Sequence, residues 1–156
     1  MNRKIAISII VSIATLLPVS ALMAKGPAPE GRTYFITVIG LDDEPYQVSA
    51  DCLTFGATEA CSLNETCLSW QRIEGTQSSS KESGFSLFGE LEDNSLSINL
   101  DGQGRVNSRG AKSSIAVASR ASAMGTQVNF AFSGRQVGQA RCTELVEEFY
   151  SGTASP

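Results

Sequence analysis

Cys52, Cys61 and Cys67 fall within sixteen residues, and a fourth cysteine, Cys142, lies far downstream. Thiols in such a cluster can hold a metal, run redox chemistry or close disulfides. Structural zinc sites bring their ligands in close pairs such as C-x2-C, because two thiolates on one knuckle must reach the same tetrahedral ion. Here the spacings are C-x8-C and C-x5-C, and the chain has no histidine, so no metal site is expected. A redox C-x-x-C is also missing. An even number of cysteines in an exported chain predicts two disulfides. Four cysteines allow three pairings. The preferred one joins Cys61 to Cys67 across the Ser-Leu-Asn-Glu-Thr loop and ties Cys52 to Cys142.

The remaining reactive groups are sparse. Without histidine there is no Ser-His-Asp or Cys-His arrangement and no histidine-rich zinc hydrolase, since each needs an imidazole to move a proton near neutral pH. GFSLFG lacks the G-x-S-x-G spacing of a nucleophile elbow. Ser78 and Lys81 satisfy S-x-x-K, but a QSSSKES stretch produces such matches by composition, and the accompanying K-T-G is absent. Glu90 and Glu92 would stand about 7 Å apart on one strand face, within the range of glycosidase carboxylates; serine and asparagine neighbours make that face read as solvated. Asp42, Asp43 and Glu44, and Asp101 with its DGQG turn, offer oxygens to calcium without the loop pattern of a specific site, and read as charged turns. No catalytic residue is assigned, and no cofactor is expected.

Charge is more informative. Residues 25–101 hold 13 acidic and 4 basic side chains, residues 102–141 hold 6 basic and no acidic ones, and the last fifteen hold three acids. A basic block inside an acidic chain of net charge −4 either neutralises its acidic neighbour in the fold or presents a surface to anions. Overall acidity excludes general nucleic-acid binding, whose affinity comes from phosphate neutralisation. Lys112, Arg120 and Arg135 are the anion-binding candidates, with Arg120 and Arg109 expected in loops near the Lys112–Arg135 pair.

Short β-type runs separated by turn residues must position these groups. Tyr34 to Ile39, Tyr46 to Phe55 and Cys67 to Ile73 are the first three, and a Ser-rich loop, EGTQSSSKESG, follows. A hairpin turning at Asp93-Asn94 sets Leu91 opposite Leu96, Gly89 opposite Ile98 and Leu87 opposite Leu100, with one apolar face. A second, with a four-residue Ser122 to Gly125 loop, sets Val117 opposite Phe130 and Ile115 opposite Phe132, and Lys112 directly opposite Arg135. Its reverse face is small: Ser114, Ala116 and Ala118 against Ser133, Ala131 and Asn129, a strip that suits close packing by another layer or the floor of a shallow pocket. Cys142, Leu145, Val146, Phe149 and Tyr150 recur at helical spacing, with Gly152 just past the end. The expected fold is mainly β, a small antiparallel barrel or sandwich with one short C-terminal helix, stabilised by disulfides.

Residues 1–24 open with Arg3 and Lys4, continue with an apolar run from Ile5 to Leu17, and end in small residues. That layout is a secretory signal peptide, too short in its apolar part for a permanent span of a roughly 30 Å hydrocarbon core. Residues 25–32 read as a linker and 33–156 as a single β-rich domain. The expected protein is therefore exported, periplasmic or secreted, and has no stable membrane span after processing. It reads as a non-enzymatic binding or interaction domain for an anionic envelope component or a protein; a small carboxylate-dependent hydrolase and a structural part of an exported assembly are the alternatives.

Overall fold

A computed structural model describes residues 27–42, 47–73, 81–93, 96–109 and 111–153. The leader over residues 1–24, Asp43, Glu44, Ser78 and the turn residue Asn94 lie outside the described residues. Eight antiparallel strands follow one another around a closed barrel: β1 (Thr33–Gly40), β2 (Val48–Phe55), β3 (Glu59–Cys61), β4 (Cys67–Ile73), β5 (Glu82–Asp93), β6 (Leu96–Arg109), β7 (Lys112–Ala123) and β8 (Thr126–Val137). A single helix, α1 (Gln139–Thr153), follows β8. Of the two expected architectures the barrel is the one formed, and β1 hydrogen-bonds β8 to close it.

Alternation drives each strand to one side. In β7, Ser113, Ile115, Val117 and Ser119 are buried while the residues between them are exposed. The interior is built on Phe55, which meets Tyr34, Trp70 and Phe85 edge to face at centroid distances of 5.7, 5.7 and 5.5 Å. Such T-shaped contacts align ring edges with ring faces and add to the burial term. The polar tips of this cluster are satisfied: Trp70 Nε1 donates to the Gly56 carbonyl at 3.0 Å, and the Tyr34 and Ser113 hydroxyls lie 2.9 Å apart. Residues 27–32, read as a linker, lie across this end of the barrel. Pro29 is buried, the Gly31 amide donates to the Phe55 carbonyl, and the Pro27 carbonyl accepts from Ser83 Oγ and Arg72 Nη2.

Both hairpins depart from the expected register by two residues. Leu91 pairs with Ile98 and Gly89 with Leu100, while Val117 pairs with Phe132 and Ile115 with Gly134. The second turn has two residues, not four: Met124 and Gly125 both take positive φ, 49° and 79°, the primed geometry whose twist matches antiparallel strands. A shift of two leaves every side chain on its expected face, because the pleat repeats every second residue. The DGQG segment is not a turn but the middle of β6. There Gly104 faces inward, and a Cβ on it would lie 2.5 Å from Phe85 Cζ and 2.8 Å from Val117 Cγ2. β3 was not anticipated, and Glu82–Gly84, read as loop, begin β5.

The helix lies on the outside of β2. Cys142 is joined to Cys52 with Cα atoms 5.9 Å apart, and the Tyr150 hydroxyl bonds both the amide and the carbonyl of Ala50 at 3.1 Å. Ala50, Cys52 and Cys142 are buried in this contact. Cys61 and Cys67, directly paired across β3 and β4, form the second disulfide. Both pairs are those preferred from sequence. α1 starts three residues before Cys142 and includes Gly152, so its end is later than expected.

Two outcomes follow from this packing. Replacing Cys52 and Cys142 by alanine lowers unfolding stability by about 4 kcal/mol on the chain-entropy model and raises amide exchange in α1 above that of the strands, measurable by denaturant unfolding and hydrogen exchange. Gly104→Ala would gain about 0.5–1 kcal/mol if space were free, since glycine is entropically costly in a strand; against Phe85 the overpacking cost of about 1–3 kcal/mol wins, and calorimetry should show a lower thermal midpoint. A raised midpoint would contradict the packing described.

Candidate functional site

The six cations of the basic block separate into two groups in the fold. Arg105 pairs with Glu82 at 3.3 Å, Arg120 with Asp101 at 3.1 Å, and Arg141 with Glu144 and Glu148 at 2.8 and 2.9 Å. Those carboxylates raise the Arg141 pKa, Glu144 first through its hydrogen bond. Arg109, Lys112 and Arg135 have no carboxylate partner among the described residues, and all three are exposed.

The register brings these three together. Arg109 at the end of β6 faces Lys112 at the start of β7, a direct cross-strand pair whose Cβ atoms lie about 5 Å apart. Arg135 pairs with Ser114, not with Lys112 as expected; the two-residue turn shifts it one pair along, to the diagonal position about 7–8 Å from Lys112. Arg109 therefore replaces Arg135 as the opposing charge, and it sits in a strand, not a loop. Arg120, also in a strand, lies eight residues further along β7, about 26 Å away, and is already neutralised by Asp101. Sequence reasoning grouped Lys112, Arg120 and Arg135; the structure groups Arg109, Lys112 and Arg135. Arg109, expected only nearby, becomes a direct neighbour of Lys112 through the β6–β7 pairing.

From this cationic end a trough runs along the outer face. Its floor is the small-residue strip: Ser114, Ala116 and Ala118 of β7 and Ala131 and Ser133 of β8. Among the described residues no layer covers it, and Ala116, Ala118 and Ser133 are exposed. Phe35, Thr37, Ile39 and then Leu41 form one wall, and Arg105, Gln103 and Asp101 the other. Three recesses of ≈ 460, 420 and 470 Å³ lie end to end in it, the first beside Arg135, the second sharing Thr37 and Ser133 with the first, the third sharing Gln103 and Ala118 with the second. A fourth recess, ≈ 270 Å³, occupies the end of the barrel opposite residues 27–32, between Val38, Ser49, Val128 and Phe130.

Among the described residues, three other acidic side chains, Glu90, Glu59 and Asp42, have defined surroundings. Glu90 is exposed and accepts a hydrogen bond from Ser97. Glu59 lies close to Cys61 and Cys67, but both thiols are consumed in the disulfide, which leaves one carboxylate and no thiolate for a metal. Asp42 accepts the Asn129 backbone amide and, at 3.1 Å, its side-chain amide. The backbone bond, then the side-chain bond, holds the Asp42 pKa below 3.8.

No family model, curated protein or solved structure matches the chain. The class is therefore defined by geometry alone: a disulfide-stabilised, closed eight-stranded antiparallel barrel with an outer helix. Paired cysteines of this kind persist in oxidising compartments. No helix among the described residues is long and apolar enough to cross a membrane.

The Asp42 contact gives a pH signature. A depressed folded pKa contributes stability that is present above the unfolded value and lost as pH falls through the folded one. In an NMR titration Asp42 should have its midpoint below 3.8, and Asn129→Ala should move it up only part of the way, because the larger contribution comes from the backbone N–H that alanine retains. A complete return to the ordinary value would show that the side chain, not the backbone, holds the carboxylate.

Proposed function

We propose that the chain is an exported, non-enzymatic binding domain that takes an anionic group of its ligand between Arg109, Lys112 and Arg135. The observation that carries this reading is the division of the basic block: three cations are neutralised by carboxylates, and the three without a carboxylate partner among the described residues converge on one end of one face. Like charges directly opposite in a ladder repel, and an anion shared between them turns that repulsion into attraction, with the guanidinium forks able to bind it in two-pronged fashion. Export is supported by the leader-like layout of residues 1–24 and by the two disulfides.

The test uses phosphocellulose, an anionic matrix that a chain of net charge −4 should not retain without a local cationic patch. The native protein is retained and elutes with salt. Lys112→Glu with Arg135→Glu abolishes retention, while Arg105→Glu with Arg120→Glu, an equal change in charge, leaves most of it. Equal losses in both double variants would mean that net charge alone governs the binding and would sink the reading. Circular dichroism confirms that each variant is folded.

A further inference from the structure

The same face carries a more specific inference about what lies along it. We infer that the trough is a docking site for an amphipathic α-helix of a partner protein, with the helix's acidic end over Arg109, Lys112 and Arg135. This rests on the reading of those three cations as the ligand-binding group.

Dimensions come first. The walls stand on β1 and β6, three strand spacings or about 14 Å apart, and the floor runs about 26 Å from Lys112 to Arg120. An α-helix is about 10 Å across and covers that length in about 17 residues. The floor is made of short side chains, so a helix can approach the sheet closely. This barrel already holds one helix in that way: α1 lies on the outward Ala50 and Cys52 of β2, and its half-buried Leu145, Val146 and Phe149 face the barrel it covers. The strip of Ala116, Ala118 and Ala131 is a second such seat with nothing on it among the described residues.

Chemistry along the trough then selects the occupant. The floor and the β1 wall of its middle are apolar, with alanines on the floor and Ile39 exposed on the wall at 38%, and Leu41, 49% exposed, continues that wall into the far recess. Among the described residues, the trough's cations without a carboxylate partner are confined to one end, and the far end presents Asp101 beside its partner Arg120. A linear polyanion needs cations along its whole length and would meet Asp101; a helix with acids at one end and an apolar face meets the cations at that end and the alanine floor and the β1 wall beyond it, with its polar flank toward Arg105 and Gln103. A second copy of this chain fits less well, since two concave troughs laid face to face enclose a void. Placing the acids in the helix's last turn also sets the negative pole of its dipole over the cations.

The probe is a fluorescein-labelled, stapled amphipathic peptide of about 17 residues, with leucine and alanine on one face and glutamate in its last turn. It is titrated by fluorescence anisotropy against the full mature chain. It should bind at least tenfold more tightly than the same peptide with lysine for glutamate or with two central prolines. Ala118→Trp, which fills the floor at an exposed strand position, and the Lys112→Glu, Arg135→Glu pair should each weaken it at least tenfold. Polyglutamate is the rival probe. If polyglutamate or the proline-broken peptide binds as tightly as the helix and Ala118→Trp has no effect, the site takes polyanions and the helix inference falls, while the anion reading stands. If the helix fails to bind but phosphocellulose retention persists, the outcome is the same. If neither binds, both readings fall.

Discussion

Phe55 meets Tyr34, Trp70 and Phe85 edge to face, and this four-ring cluster is the constraint on which the rest of the molecule depends. Four large rings fill one end of a narrow eight-stranded barrel only if the neighbouring wall is bare, and Gly104 supplies that wall where Phe85 and Val117 press against it. The glycine costs strand propensity, and the packing it permits outweighs that cost. That end is packed with side chains and covered by residues 27–32.

Outer-face chemistry is a consequence of register. In their middle stretches the strands β6, β7, β8 and β1 carry outward side chains that differ from one strand to the next: Gln103 and Arg105 on β6, Ser114, Ala116 and Ala118 on β7, Ala131 and Ser133 on β8, and Phe35, Thr37 and Ile39 on β1. Laid side by side they make a trough on a surface that would otherwise be convex. The same pairing brings Arg105 to Glu82 and Arg120 to Asp101, and, among the described residues, leaves Arg109, Lys112 and Arg135 without a carboxylate partner. Exposed ion pairs contribute little stability. Their main effect here is to set where positive charge remains.

Much of this was legible in the chain. The mainly β character, the terminal helix, the presence of two disulfides and the in-or-out direction of the residues in the two hairpins follow from local patterns: period two in the strands, period 3.6 in the helix, and cysteine number and spacing in a chain without histidine; the pairing itself was one of three that the sequence allowed. The short strand β3 was not legible, because three residues carry no period. The DGQG segment misled for a different reason. Its glycines resemble a turn, but they are there to make room for Phe85, a residue that is distant in sequence.

What the sequence alone determined is parity: which side chains share a face, since a one-residue slip would turn the apolar set outward. What only the tertiary structure decided is offset, because a two-residue slip leaves every face intact and alternation cannot detect it. The offset was settled by the tight Met124-Gly125 turn and by closure, which requires all eight ladders to agree around one ring. That is why Lys112 meets Arg109 and not Arg135, and why the composition of the cationic end could not be read from the chain, although its existence could.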